Sequence, residues 1–218
     1  MKVDIAVVDY GMGNLRSVHN ALSTVAPDAN VVVTDDPAVV AQAGRVVFPG
    51  QGAMPDCMRE LDARNLRKAV LDAAHSKPFL GICIGLQMLF EHSKEGDVKC
   101  LGLLPGDVVR FPHKLLDAQG SRLKVPHMGW NEVHRVADAQ TPQHPMWNDI
   151  AQDERFYFVH SYYVKPEEQT MVQAVTSYPE PFVCAVARDN LFAVQFHPEK
   201  SHTAGLQLLK NFVNWTPV

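Results

Sequence analysis

Cysteine is scarce. The four that occur in 218 residues, Cys57, Cys83, Cys100 and Cys184, stand at wide, irregular intervals with no C-x-x-C pair. That excludes a disulfide framework, which a chain of this length does not need, and predicts free thiols in a reducing compartment. Long apolar runs are missing too: nothing approaches the ~18 uncharged residues of a membrane-spanning helix. The N-terminus meets Asp4 before it can build the apolar core of a signal peptide, so a cytoplasmic protein is expected. Positive charge is in short supply. With 20 Lys+Arg against 24 Asp+Glu the formal net charge is -4, which leaves no basic surplus to grip a nucleic-acid backbone. None of the ten histidines falls in H-E-x-x-H, and no Cys/His quartet has zinc spacing, so no metal is expected. Gly11-Met12-Gly13-Asn14-Leu15-Arg16 puts Arg16 where a dinucleotide fingerprint has its third glycine, and no nucleotide cofactor is expected either.

What is present is ordinary globular material, 46% hydrophobic and 20% charged, without internal repeats or low-complexity linkers. We expect one domain over residues 1–218. In the first half, short β-branched runs at 3–9, 30–34, 45–49 and 78–82 alternate with amphipathic stretches at 14–26, 37–43 and 57–75, and another helix is expected from Leu86 onward. That alternation predicts an α/β fold, a mostly parallel sheet flanked by helices. The second half gathers Pro and Gly, and its apolar runs are short: 98–103, 107–111, 122–126, 156–164, 171–177, 182–187 and 191–196. Added antiparallel strands are predicted there. Residues 201–214 read as a closing helix with Ser201 as N-cap.

Three segments carry chemistry. Phe79-Leu80-Gly81-Ile82-Cys83-Ile84-Gly85-Leu86-Gln87 runs from an apolar strand through G-x-C-x-G into a helix. This is a nucleophile elbow, a turn so tight that the residues two away from the nucleophile must be small. A side chain at that turn faces the positive end of a helix, which suits an anionic attacking group. Alone, the same spelling would serve a buried cysteine between two packing glycines. Val194-Gln195-Phe196-His197-Pro198-Glu199 ends a strand in His-Pro-Glu, supplying a base and an acceptor for its second ring nitrogen, unless it is merely a surface turn. Phe48-Pro49-Gly50-Gln51-Gly52 ends another strand in P-G-x-G, whose backbone amides could face a developing oxyanion, or simply turn the chain.

Taken together and in this order, the three segments resemble the class I, triad-type glutamine amidotransferases over essentially the whole chain. The resemblance implies a flavodoxin-like architecture and hydrolysis of the glutamine side-chain amide through a γ-glutamyl thioester. Cys83 would be the nucleophile, His197 the general base and acid, and Glu199 the orienting acid. Backbone amides near Gly50, Gln51, Gly52 and Ile84 would stabilise the oxyanion. Gln87 matches the G-x-C-x-G-x-Q pattern and would help hold the substrate. Glu95 would meet the substrate's α-amino group, with a plain helix-end acid as the alternative, and Ser161 and Tyr162 would contact glutamine through main-chain groups.

Asp9 to Val18 and Lys124 to Asn131, with Ser93 to Gly96 and His160 to Tyr163, are similar to the imidazole glycerol phosphate synthase branch of that family. The branch implies a heterodimer with a separate (β/α)8-barrel cyclase subunit, which receives the ammonia in a step of histidine biosynthesis. Asn14, Trp130 and Lys200 match positions near that interface; a helix cap, a core aromatic and a solvated lysine are their plainer readings. A sequence that ends at Val218 fits a detached subunit. Gln51 departs from the small apolar residue often found at its position. Because the amides there belong to the backbone, no loss of function is expected.

Overall fold

The computed structural model describes residues 2–112, 114–117, 119–136 and 143–217. Its centre is a parallel sheet. β1 (Ile5–Val8), β3 (Arg45–Gly50) and β4 (Phe79–Cys83) are buried almost throughout, as their unbroken apolar sequences require of strands covered on both faces. β2 (Val31–Thr34) lies at the edge and keeps Val33 partly exposed. The strand order β2-β1-β3-β4 continues into β13 (Leu191–Val194), also parallel to β4. Gly50 pairs with Cys83 and Val194 with Ile82, so the carboxyl ends of three strands are level.

Helices cover this sheet. α1 (Leu15–Val25) turns Val18, Ala21 and Leu22 inward and packs on α6 (His202–Asn214), which buries Leu208, Leu209 and Phe212. α2 (Pro37–Gln42) starts with Pro37, and the Asp36 side chain accepts the Ala38 N–H at 2.8 Å. The single helix expected over 57–75 is two: α3 (Met54–Ala63) and α4 (Leu66–Ser76) meet at Asn65, which takes a left-handed backbone at φ 57°. The break lets each helix bury its own apolar face, and Arg67 clamps it by pairing with Asp62 at 2.6 Å.

Beyond β13 the sheet turns antiparallel through β12 (Pro181–Arg188), β10 (Tyr162–Pro166) and β7 (Leu104–Arg110), then reaches β5 (Phe90–Ser93) and β6 (Val98–Lys99). β11 (Val172–Ser177) branches from β12 to β8 (His127–Arg135), which pairs with β9 (Glu154–His160). Several expectations change here. The helix after the elbow is only α5 (Ile84–Met88), because Phe90 is needed as a buried strand residue opposite Leu104. The run 98–103 keeps only two strand residues, and 122–126 forms no strand beyond a bridge from Arg122 to Leu116. The run 156–164 splits at Ser161 into β9 and β10, while β8 was not foreseen as a strand.

Ser201 holds the N-cap position of α6 without capping it. Its hydroxyl donates to the His197 carbonyl at 2.6 Å and accepts the Tyr157 N–H at 3.0 Å, tying the start of α6 to the segment that follows β13 and to β9. Gly205 lets α6 lie on the 3-10 turn Pro198–Lys200, since a Cβ there would overlap the Pro198 carbonyl oxygen. Gly205→Ala must push α6 off that turn; overpacking of this kind costs about 1–3 kcal/mol, and we expect a melting temperature lowered by several degrees. Thermal unfolding of the variant beside the wild type checks this; an unchanged melting temperature would refute it.

Candidate active site

The three level strand ends open on a cavity of about 220 Å³ lined by Gln51, Gly52, Cys83, Ile84, Gln87, Glu95, Pro126, Val159, His160, Ser161, Tyr162 and His197. A larger hollow, about 710 Å³, lies at the opposite ends of the strands, bordered by Ile5, Arg45, Pro78 and Asn190. Its Lys77 ammonium is occupied by the Ala41 and Ala43 carbonyls at 2.6 and 2.8 Å, and none of the three sequence segments that carry chemistry reaches it. Chemistry belongs to the smaller cavity, at the carboxyl ends of the strands.

Cys83 has φ 56° and ψ -110°, a backbone that a non-glycine residue adopts only under constraint. The constraint is the elbow: β4 ends, α5 begins at the next residue, and a Cβ on Gly85 would collide with the Phe48 carbonyl oxygen. Within that turn Cys83 is 4% exposed.

His197 follows β13 by three residues, and its Nδ1 lies 2.9 Å from Glu199 Oε1. Both side chains are buried, Glu199 to 1% exposure. The carboxyl oxygen accepts, so Nδ1 donates to it, and among the described residues Nε2 has no hydrogen-bond partner. Burial on its own lowers the imidazole pKa; the neighbouring Cys83 sulfur and then the Glu199 carboxylate outweigh it and raise the pKa to about 10. Cys83 and His197 line the same cavity, which sets the sulfur and the imidazole against one shared space.

Gly50, the register partner of Cys83, is pressed between the Tyr10 hydroxyl and Ile84, and Gly52 has φ 120°. Cys57 Sγ lies 3.8 Å from the Gln51 carbonyl, on the helix side of this segment. Glu95 lines the cavity and also accepts the Met54 N–H at 2.9 Å, so part of its carboxylate serves the first turn of α3. Gln87, 2% exposed, donates both Nε2 hydrogens within the protein, to the Tyr162 carbonyl at 2.9 Å and to Gln195 Oε1 at 3.0 Å. Only its Oε1 remains for a ligand.

Asn14 starts α1 without a side-chain cap. Trp130 is no core aromatic: it is 45% exposed and stacks on His202 with centroids 5.0 Å apart and planes at 4°. Lys200 sits in the turn against which α1 packs, so these three lie outside the cavity.

Residues 6–215 match the glutamine amidotransferase class-I family. The chain belongs to that family. Among class-I glutamine amidotransferase relatives, the imidazole glycerol phosphate synthase subunit HisH of Thiobacillus denitrificans is 64% identical over 100% of this chain and 93% of its own. The protein of the same name from Aromatoleum aromaticum is 65% identical over 98% and 99%. A solved glutamine amidotransferase structure superposes with a TM-score of 0.70 at 15% identity, covering 96% of this chain and 97% of its own, which speaks for the fold.

One amidotransferase residue near the sulfur was missed in the sequence. Gln195 is fully buried, and its Nε2 lies 3.7 Å from Cys83 Sγ. The signal was there, since a polar side chain in the apolar run ending at His197 shares that residue's face at the strand period of two.

Folding stability should follow the buried imidazoles. His197, raised to about 10, stabilises the fold in full below its ordinary value of 6.5, and that contribution is lost as pH rises through about 10. Burial lowers His127 and His144 to about 4 and His160 to about 3, so the unfolded chain takes up protons first and stability falls as pH drops below 6.5. Urea titrations across pH should peak near neutrality; His197→Asn flattens the alkaline limb and His127→Phe the acidic one. A profile unaltered by either change would contradict these assignments.

Proposed function

We propose that this chain is the glutaminase subunit of imidazole glycerol phosphate synthase, acting as one cytoplasmic amidotransferase domain over residues 1–218. The observation that carries the reading is that Cys83 and His197 line one small cavity with Glu199 2.9 Å behind the imidazole, in a chain 64% and 65% identical to two relatives bearing that subunit name.

Cys83 is the nucleophile, His197 the proton carrier and Glu199 the acid that fixes the imidazole tautomer. The sulfur attacks the glutamine γ-carbonyl while Nε2 holds the thiol proton. Negative charge gathering on the carbonyl oxygen meets backbone amides of Gly50, Gln51, Gly52 and Ile84. Collapse of the tetrahedral adduct breaks the C–N bond, with the proton passing from Nε2 to the departing nitrogen, so ammonia leaves and a γ-glutamyl thioester remains. Water then gives a proton to Nε2 and attacks the thioester; the C–S bond breaks and glutamate is released. Gln87, through its free Oε1, holds the substrate together with Glu95 and the main chain of Ser161 and Tyr162.

Ammonia passes to a separate (β/α)8-barrel cyclase, forming imidazole glycerol phosphate and an aminoimidazole carboxamide ribotide in histidine biosynthesis. The partner docks on the face carrying Asn14, Trp130 and Lys200, where the exposed indole supplies an apolar anchor.

The test is glutamate release from glutamine by the chain alone, then with the cyclase subunit and its nucleotide substrate. We expect strong stimulation in the mixture and a fall of roughly 10⁴-fold or more in Cys83→Ala. Release that ignores the cyclase would sink the assignment of partner, and an active Cys83→Ala would sink the nucleophile.

A further inference from the structure

A second polar cluster is buried beside the cavity. His127 and His160, 3% and 6% exposed, sit among Phe111, Phe158, Tyr178 and Phe182, where phenylalanine rings would pack as well. Their hydrogen bonds leave no freedom of assignment. His160 Nδ1 is 2.8 Å from the Tyr162 carbonyl, which can only accept, so Nδ1 holds the proton and His160 Nε2 is bare. His127 Nδ1, 2.9 Å from that bare nitrogen, must therefore donate, leaving its own Nε2 bare toward Asn131 Nδ2 at 3.3 Å. Asn131 is oriented independently, since the same Nδ2 donates to the Ser177 carbonyl at 2.9 Å.

The chain of donors continues across the cavity wall. The Tyr162 carbonyl receives His160 on one lone pair and Gln87 on the other; Gln87 donates onward to Gln195 Oε1, and Gln195 to Cys83 Sγ. We propose that His160 and His127 are positioning residues, whose fixed tautomers hold the Tyr162 carbonyl, and with it Gln87 and Gln195, in the arrangement that receives the substrate amide. This rests on the glutaminase reading above. Burial keeps both imidazoles neutral, as the relay requires: a second proton on His160 would set its Nε2–H against the Nδ1–H of His127. Asn131 anchors the relay from β8, the strand whose alternate residues Met128 and Trp130 face solvent.

Glutaminase kinetics on the intact chain with the cyclase subunit and its nucleotide ligand test this, wild type first. A wild type that releases no glutamate would overturn the functional reading and this inference with it. With an active wild type, His160→Phe is expected to raise KM for glutamine about tenfold while kcat stays within about twofold, because one hydrogen bond that orients the binding wall is gone. His160→Gln, whose amide can donate to the same carbonyl, should restore KM to near the wild-type value. His127→Phe, which only frees the His160 tautomer, should raise KM about threefold. Should His160→Phe fail to fold, the contrast between His127→Phe and His160→Gln decides the matter alone. Unchanged KM in these variants, or a fall in kcat that simply tracks a lower melting temperature, would overturn the positioning role while leaving the glutaminase reading intact.

Discussion

The backbone at Cys83 is the constraint on which the rest of the site depends. A residue with φ 56° and ψ -110° stores about 1–3 kcal/mol of strain and persists only where its surroundings dictate it. Here the surroundings are β3 and β13 on either side of β4, and α5, whose first turn lies so close to Phe48 that Gly85 tolerates no side chain. Those same strands bring the other groups. β3 delivers Gly50 to Gly52 beside the sulfur, and β13 delivers Gln195 and His197. A sheet whose parallel strands end level needs no long loops to assemble such a constellation.

Much of this was legible in the sequence because it is local. Alternating strand and helix patterns, G-x-C-x-G and His-Pro-Glu are each encoded within a few residues, and they gave the α/β architecture and brought Cys83, His197 and Glu199 to attention. What failed was non-local. The break at Asn65 inside an apparently continuous helical run follows from two apolar faces that must each be buried. Phe90 is pulled out of a helix by a partner at Leu104, and β8 hides because Gly129 and Asn131 interrupt any strand-like pattern. Ser201 has the sequence of a cap yet spends its hydroxyl on His197 and Tyr157.

The buried imidazoles around the cavity divide by charge. His197 is buried against groups that favour its cationic form, whereas His127 and His160 are buried among aromatic rings and stay neutral. All lie close to the same cavity, so the site combines one imidazole ready to gain a proton with two that resist it. Packing and partner set protonation; the residue type does not.

The tryptophans of this chain carry an optical consequence. Trp147 and Trp215 are 2% and 5% exposed, while Trp130 alone stands in water on the outer side of β8. Long-wavelength indole emission therefore comes from a single position, beside the turn that holds His197 and Glu199. Collisional quenchers added to the solution will read that one spot and leave the two interior indoles dark to them, which makes the native chain its own label for whatever settles on this face.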